Sequence, residues 1–514
     1  MRVSLAAGVV VAAALVLAGG APRAAAAARP VALVVLPAAD LEQRLPALAV
    51  DGAVGLVSPG AGGTTTRQVA LASLVRGVSQ NSSRGGVPDG KVLVNIARTP
   101  AHGPRAVTIY VALPPPGQHR NTRRYPVAIV GAGYHGVLRS SSTRIPGLIS
   151  IADIAPTAVA LAAGEPPRIR STPAGDAVGQ LARTDRRLDE SKDAAYGVAL
   201  LITAATLFLA GLAWLVRSPA LARAALLVAP LAIVTSLSLT LAGVGRSPDI
   251  LTAICLAAPL GALALGRLLA GRLRLAAGLL AVLVFVLVVL AAEPWAAGLS
   301  ALGPEPGGGG RFFGVGNGLE TLLLPSALVP AALLGLRFLP AVALLALGAI
   351  GLSRTGADGG GVLVLLAGYL VLALRLRGGR SRPVEIALVV GAGIALAAAF
   401  VGLDALAGGH SHVTAAAGGG PTTVVTDIVS RLDVSIHKVV ASTGVIIASV
   451  WSVIGLTFAA TRRRRSPVID AFLIAVVVSL LVNDTPVQVL AFAVLQVAPL
   501  LAWEAVRRAR RSAA

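Results

Sequence analysis

Residues 303–320 read GPEPGGGGRFFGVGNGLE. This polar, glycine-rich stretch separates two strongly apolar runs, 275–292 and 318–336, each close to the roughly 20 residues a helix needs to cross a bilayer. It therefore reads as a connection between two membrane helices, and the second half of the chain repeats that pattern. Its glycines permit positive φ and a close approach of backbone to a ligand. Its cation, Arg311, is followed by Phe312, Phe313, Gly314, Val315, Gly316 and Asn317. Two readings stay open: a binding loop presenting Arg311, or a flexible connector with Asn317 as the N-cap of the next helix.

Composition points the same way. Of the 514 residues 55% are hydrophobic, and the mean hydropathy of +0.81 is too high for a soluble protein. The net charge of +21 is carried by arginines clustered between apolar runs, not by a basic domain with stacking aromatics. Topology explains those clusters, and nucleic acid is excluded as a partner. The single cysteine, Cys255, allows neither a disulfide framework nor a cysteine-based metal site.

Residues 1–28 combine a basic start, Arg2, with the apolar core Val3–Leu17 and a small-residue run at 24–28. They read as a signal peptide, or alternatively an uncleaved anchor, and either one exports the segment beginning at residue 29. Residues 29–170 read as an α/β domain. Strand-like runs at Val31–Leu36, Ala53–Val57, Lys91–Ile96, Ala106–Leu113 and Tyr125–Val130 are interleaved with helical patterns at Thr65–Val78 and Pro156–Ala163. A buried, mostly parallel sheet is expected, with Asp153 as an N-cap and Gly164 closing the helix that it starts. Residues 171–193, rich in charge and poor in apolar content, read as a linker.

From 194 to 506 an all-α polytopic membrane domain is expected, followed by a basic tail at 507–514. Eleven apolar runs are present: 194–216, 224–244, 250–266, 275–292, 318–336, 338–352, 359–374, 384–403, 438–460, 467–482 and 487–503. With the α/β domain outside, the first helix runs inward and each later loop is assigned in turn. Arg217 and Arg223, Arg267 to Arg274, Arg375 to Arg382, Arg462 to Arg465 and the tail then fall on the cytoplasmic side, as the positive-inside rule requires. A multi-pass protein of the cytoplasmic membrane results, with its N-terminal domain extracytoplasmic and its C-terminus cytoplasmic.

The opposite face keeps Asp249, Glu293, Arg311, Asn317, Glu320, Arg354, Asp358, Asp404, His410, His412, Asp427, Arg431, Asp433, His437, Asn483 and Asp484. Ionisable groups at helix ends that face a bundle interior mark function. Arg311, Arg354 and Arg431 offer planar forks suited to phosphate, with Asn317 beside them as a further binding residue. His412 and His437 are the candidate general bases. His410-Ser-His412 reads equally as an exposed glycine-rich loop. Neither a metal nor a cofactor is called for.

Two resemblances add to this reading. The stretch 125–167, YPVAIVGAGYHGVLRSSSTRIPGLISIADIAPTAVALAAGEPP, resembles the C-terminal part of alkaline-phosphatase-superfamily domains. In that family an Asp directly after the first strand and an Asp-His pair hold two metals. Here Leu36 runs into Pro37-Ala38-Ala39 with Asp40 displaced, and Ala132-Gly133-Tyr134-His135 stands at the pair, so a degenerate, non-catalytic domain is implied. Thr64 to Thr66 lie near the nucleophile position, and His135 reads as structural. The phrases RFFGVGN, SRTGADGGG, GHSHV and VNDTPV resemble those of uncharacterised bacterial multi-spanning proteins that carry such a domain.

More distantly, the outer Arg-Phe-x-Gly…Asn loop, the helix ending Ser-Arg-x-Gly and the later histidine-bearing loop are similar to O-antigen ligase and polymerase membrane proteins. That resemblance implies glycan transfer from a polyprenyl-diphosphate carrier, with Arg311 and Arg354 on the diphosphate and His437 near the acceptor. The partners expected are membrane lipid and a lipid-linked glycan or envelope polymer. The alternatives are a transporter or flippase of such a lipid, and a scaffold with a pseudo-phosphatase domain.

Overall fold

A computed structural model of the chain describes residues 29–61, 63–78, 94–305, 311–378, 442–483 and 485–513, with a few positions between 391 and 402. The expected signal peptide, the histidine-bearing loop and most of the run 384–403 lie outside the described residues.

The N-terminal part is α/β. In chain order it contains β1 (Val31–Leu36), α1 (Ala38–Asp51), β2 (Gly52–Ser58), β3 (Thr64–Thr66), α2 (Arg67–Arg76), β4 (Ile96–Ala97) and β5 (Val107–Ala112). β6 (Gln118–Arg120), β7 (Tyr125–Val130), β8 (Gly136–Ser140), β9 (Leu148–Ser150), α3 (Ile154–Ala163) and β10 (Ile169–Thr172) complete it. The main sheet runs β10-β8-β2-β7-β5-β1-β4, with β9 also on β2, while β3 and β6 pair apart. As expected it is mostly parallel: β1, β2, β4, β5, β8 and β9 run the same way, and β7 and β10 run against them. β1 is parallel to β4 and β5, and β2 to β8 and β9, but β7 is antiparallel to both β2 and β5. The cause is the short path from β5 to β7, which holds no crossover helix and so returns the chain antiparallel.

The central strands are apolar along their length because both faces are covered. α1 crosses β2, β5 and β7, α3 rests on β1, and Leu41, Ile109, Ile129, Leu138, Ile149 and Ile154 fill the core. Asp153 does not cap α3. The cap is one turn earlier, where Ser150 Oγ accepts from Ala152 N at 3.3 Å at the start of a 3-10 turn, Ile151–Asp153. Asp153 is buried and accepts instead from Ser142 Oγ. Burial holds its carboxyl above the usual range, with Ser142 and Ser140 opposing. Gly164 closes α3 in the left-handed conformation, as expected.

The C-terminal part is helical: α4 (Ala177–Leu215), α5 (Pro219–Leu241), α6 (Ser247–Leu268), α7 (Arg272–Ala292), α8 (Asn317–Leu334), α9 (Leu339–Gly351), α10 (Gly359–Arg377), α11 (Thr443–Thr461), α12 (Pro467–Val482) and α13 (Pro486–Ala513). Eight of the described helices are long and apolar enough to cross a membrane; α9 and α12 are apolar but shorter. Apart from 384–403, each expected run coincides with one helix. α8 is buried all round, the signature of a helix at the centre of a bundle, and packs against α5, α7, α9, α10, α12 and α13.

The expected linker is not one. Residues 171–172 end β10, and 177–193 begin α4, a helix of 39 residues and so about 58 Å long. Its buried positions Leu181, Thr184, Leu188, Ser191, Ala194, Val198 and Ile202 recur every three or four residues, so one stripe serves both domains. The charges on its other sides concealed that stripe.

Several of those charges tie the helix down. Arg187 Nη2 donates to Thr240 O at 2.7 Å, Ser247 N donates to Glu190 Oε2 at 2.7 Å, and Lys192 pairs with Glu305 at 2.7 Å. Arg124, at the foot of β7, reaches Asp185 and, at 2.6 Å, Asp189. Burial alone would lower the affinity of its guanidinium for the proton, but the two carboxylates outweigh it and raise that affinity. Replacing this buried fork while both carboxylates stay partly solvated should cost about 1–2 kcal/mol, below the range for wholly buried pairs. Arg124→Met should accordingly lower the unfolding midpoint of the detergent-solubilised chain, and Arg124→Lys should recover part. A parental midpoint for Arg124→Met would remove this joint from the account of stability.

Candidate functional site

The site lies where the α/β domain meets the bundle. α9 has only 13 residues, about 20 Å, so the turn after it begins below the roughly 30 Å that a span must cross. Backbone at that depth has to be satisfied by protein. In the turn 352–358 it is. Ala357 N donates to Leu352 O at 2.9 Å, Asp358 N to Ile350 O at 3.0 Å, and Thr355 Oγ1 to Gly348 O at 2.6 Å. Val315 N, from the glycine-rich loop, donates to Gly356 O at 2.7 Å. Loop and turn thus form one knot.

Arg311 fastens it. Its Nη1 donates to Val315 O at 2.5 Å, its Nη2 to Ala357 O at 2.7 Å, and Nη1 lies 3.4 Å from Asp358 Oδ2. Asp358 in turn caps α10, accepting from Gly361 N at 3.1 Å. Of the two readings of the loop, the one with Asn317 as N-cap is corrected. Arg311, whose side chain is 30% exposed, spends much of its fork on the protein itself, and Asn317 is the first helical residue, not the cap. Gly316 stands at the cap position, and Asn317 Nδ2 donates to Thr485 Oγ1 at 2.8 Å, joining the starts of α8 and α13.

One turn into α8, Glu320 is fully buried. Its Oε2 accepts from Asn483 Nδ2 at 3.2 Å, and Asn483 also reaches Ser479 Oγ at 2.8 Å. A Cβ on Gly360 would fall 2.5 Å from Asn483 Oδ1 and 3.5 Å from Asp358 Oδ1, so α10 begins in the space between these two side chains. A side chain at this position would have to displace that of Asn483.

The α/β domain supplies the lid. Its loop 141–147 reaches down so that Arg144 Nη2 donates to Ser353 O at 2.6 Å and Nη1 to Arg354 O at 3.2 Å, with the guanidinium 3.7 Å from the Phe313 ring centroid. Arg144 takes φ of +59°, uncommon for a residue with a side chain and a mark of a built contact. Beside it Ile145, Leu148, Leu188, Leu299 and Phe312 form a small apolar cluster that seals the two domains together.

Of the expected site residues, Arg311, Asn317 and Arg354 converge on this junction, with Arg354 exposed at the rim. Arg431, His412 and His437 lie outside the described residues. Glu320, Asp358 and Asn483 belong to the centre of the site, and their sequence signal was polarity at helix ends. Arg144 had no signal beyond a positive charge before Ile-Pro-Gly.

In the α/β domain the residues singled out above are placed as follows. Asp40 is exposed on α1, Thr66 Oγ1 caps α2, Thr65 is buried, and His135 Nδ1 turns back to Gly133 O at 2.8 Å. Tyr134 Oη donates to Ile169 O at 2.7 Å, and burial pushes its phenol up to about 12. Among the described residues no group of three or more His, Cys, Asp or Glu side chains gathers to hold a metal. Compared with known proteins, the chain matches no family model, no curated protein and no solved structure.

Proposed function

We propose that the chain is a cell-envelope membrane protein that handles an anionic, phosphate-bearing lipid-linked glycan at the outer face of the cytoplasmic membrane, in the junction between its exported domain and its helices. The observation that carries this reading is the arrangement of three arginines about one short turn. Arg144 holds the carbonyls of 353 and 354, Arg311 holds that of 357, and Arg354 projects from the same turn. A diphosphate at this rim would meet charge-assisted donors from both domains, with Phe313 beside them. The sidedness comes from the arginine clusters: those at Arg462 to Arg465 and in the last turns of α13 lie at the far end of the bundle from the α/β domain, on the side the positive-inside rule calls cytoplasmic. In this reading the α/β domain is a non-catalytic wall.

Transfer of the glycan would fall to His437 or His412 as general base. Transport or flipping of the lipid is the second reading, and one observation favours it: polar groups continue inward from the rim to Glu320 on the central helix. Arg354 gives the cleanest test because its side chain is exposed while Arg311 is built into the knot. Arg354→Ala should weaken binding of a polyprenyl-diphosphate lipid in nanodiscs about three- to tenfold, and Arg354→Lys less, the scale for a rim charge on a phosphate. Equal affinity across parent, lysine and alanine variants would remove the diphosphate from this junction.

A further inference from the structure

If both were ionised, the Glu320 and Asp358 carboxyls would set two negative charges against the one guanidinium of Arg311, and they lie in protein, not water. Glu320 is 0% exposed and Asp358 3%. Each presents an oxygen without a hydrogen-bond donor: Glu320 Oε1 and Asp358 Oδ2, the latter having only the ion-pair contact to Arg311 at 3.4 Å. Their other oxygens are satisfied, by Asn483 Nδ2 and by Gly361 N. Among the described residues the charged groups acting on Glu320 are these two: Arg311 from the loop before α8 and Asp358 from the turn before α10. α12 contributes the neutral Asn483.

An isolated carboxylate in such a place is costly, and it is relieved either by a metal cation or by a proton. A hard metal cation needs about six oxygen ligands, whereas the side chains here offer Glu320, Asp358 and Asn483 with a fixed arginine beside them. We propose that the Glu320–Asp358 pair binds one exchangeable proton, carried on Glu320 Oε1, so that the centre of the bundle holds a proton-binding site. Glu320 Oε1 is then a donor in place of an unsatisfied acceptor, and Glu320 Oε2 is left as the carbonyl oxygen that Asn483 holds. Two carboxyls sharing a proton beside a fixed cation is the usual resolution when like charges are confined together. A protonatable group at this depth is what a carrier coupled to the proton gradient requires, and it needs no lipid-linked substrate to exist.

Infrared difference spectroscopy of the full-length protein in detergent tests it. The parent at neutral pH should show a protonated-carboxyl carbonyl band that moves on exchange into D2O, keeps its intensity in sodium, potassium or magnesium salts, and is lost in Glu320→Gln. Asn483→Ser keeps Glu320 but removes the amide that donates to Oε2, so the same band should move to higher wavenumber, an assignment that stands even if Glu320→Gln does not fold. The absence from the parent of a band that Asn483→Ser moves would overturn the inference, as would its disappearance on adding a metal cation, which would make this a metal site.

Discussion

Arg311→Ala is expected to lower the stability of the solubilised protein by about 2–4 kcal/mol, a larger effect than any loss of ligand affinity. The arginine's removal leaves the carbonyls of 315 and 357 without their donor and leaves Asp358, whose side chain is 5% exposed, beside Glu320 with no counter-charge. Truncating one partner of a buried pair costs about 3–5 kcal/mol, and the partial exposure of Arg311 reduces this. Lysine keeps the charge but cannot hold two carbonyls and a carboxylate at once, so Arg311→Lys should recover only part. Asp358→Asn in the Arg311→Ala background should recover more, because asparagine still caps α10 and carries no charge. Chemical denaturation of the four proteins decides the matter. If the double variant is no more stable than Arg311→Ala, the electrostatic account fails and only the lost carbonyl bonds remain.

The second large effect is expected at Gly314. Its φ is +81°, and a Cβ there would lie 2.0 Å from the Gly356 carbonyl oxygen, the atom that accepts from Val315 N. Gly243 shares the conformation, φ +79°, but has nothing within 4 Å of a Cβ. The two glycines separate backbone preference from collision. Gly243→Ala should cost about 1–2 kcal/mol, the penalty of a left-handed residue alone. Gly314→Ala adds an overlap with backbone that cannot move without opening the knot, and should cost about 4 kcal/mol or more, enough to abolish a folded yield. Similar yields and midpoints for the two variants would mean that loop and turn are not locked together.

Most helices were legible because a membrane helix announces itself by length of apolar run, and most strands because a sheet covered on both faces does the same. What escaped were elements whose stabilising partner is remote. α1 contains Pro46 and buries only Leu41 and Leu45, so its helical period is hidden until the sheet is there to receive it. α4 runs through a charged stretch whose carboxylates look solvated until Arg124 is placed against them. The site divides in the same way. Arg311, Asn317 and Arg354 could be found from the loops that carry them, but their jobs could not, because Arg311 turns toward a carbonyl 46 residues away and Asn317 toward a threonine 168 residues away. Arg144 reaches across 209 residues to Ser353. No local pattern encodes such a distance.

The bond from Asn483 to Glu320 spans 163 residues of chain, and this sets an order of events during synthesis. At roughly 5–20 residues per second, α8 enters the membrane about 8–30 seconds before the ribosome has made Asn483. During that interval the glutamate has Arg311 already beside it and gains Asp358 partway through, but it lacks the donor that holds its carbonyl oxygen in the finished bundle. The innermost helix is therefore made well before the residue that completes its polar end. A ribosome halted before α12 would leave a chain with the residues of its arginine knot made and its central acid still without the Asn483 donor.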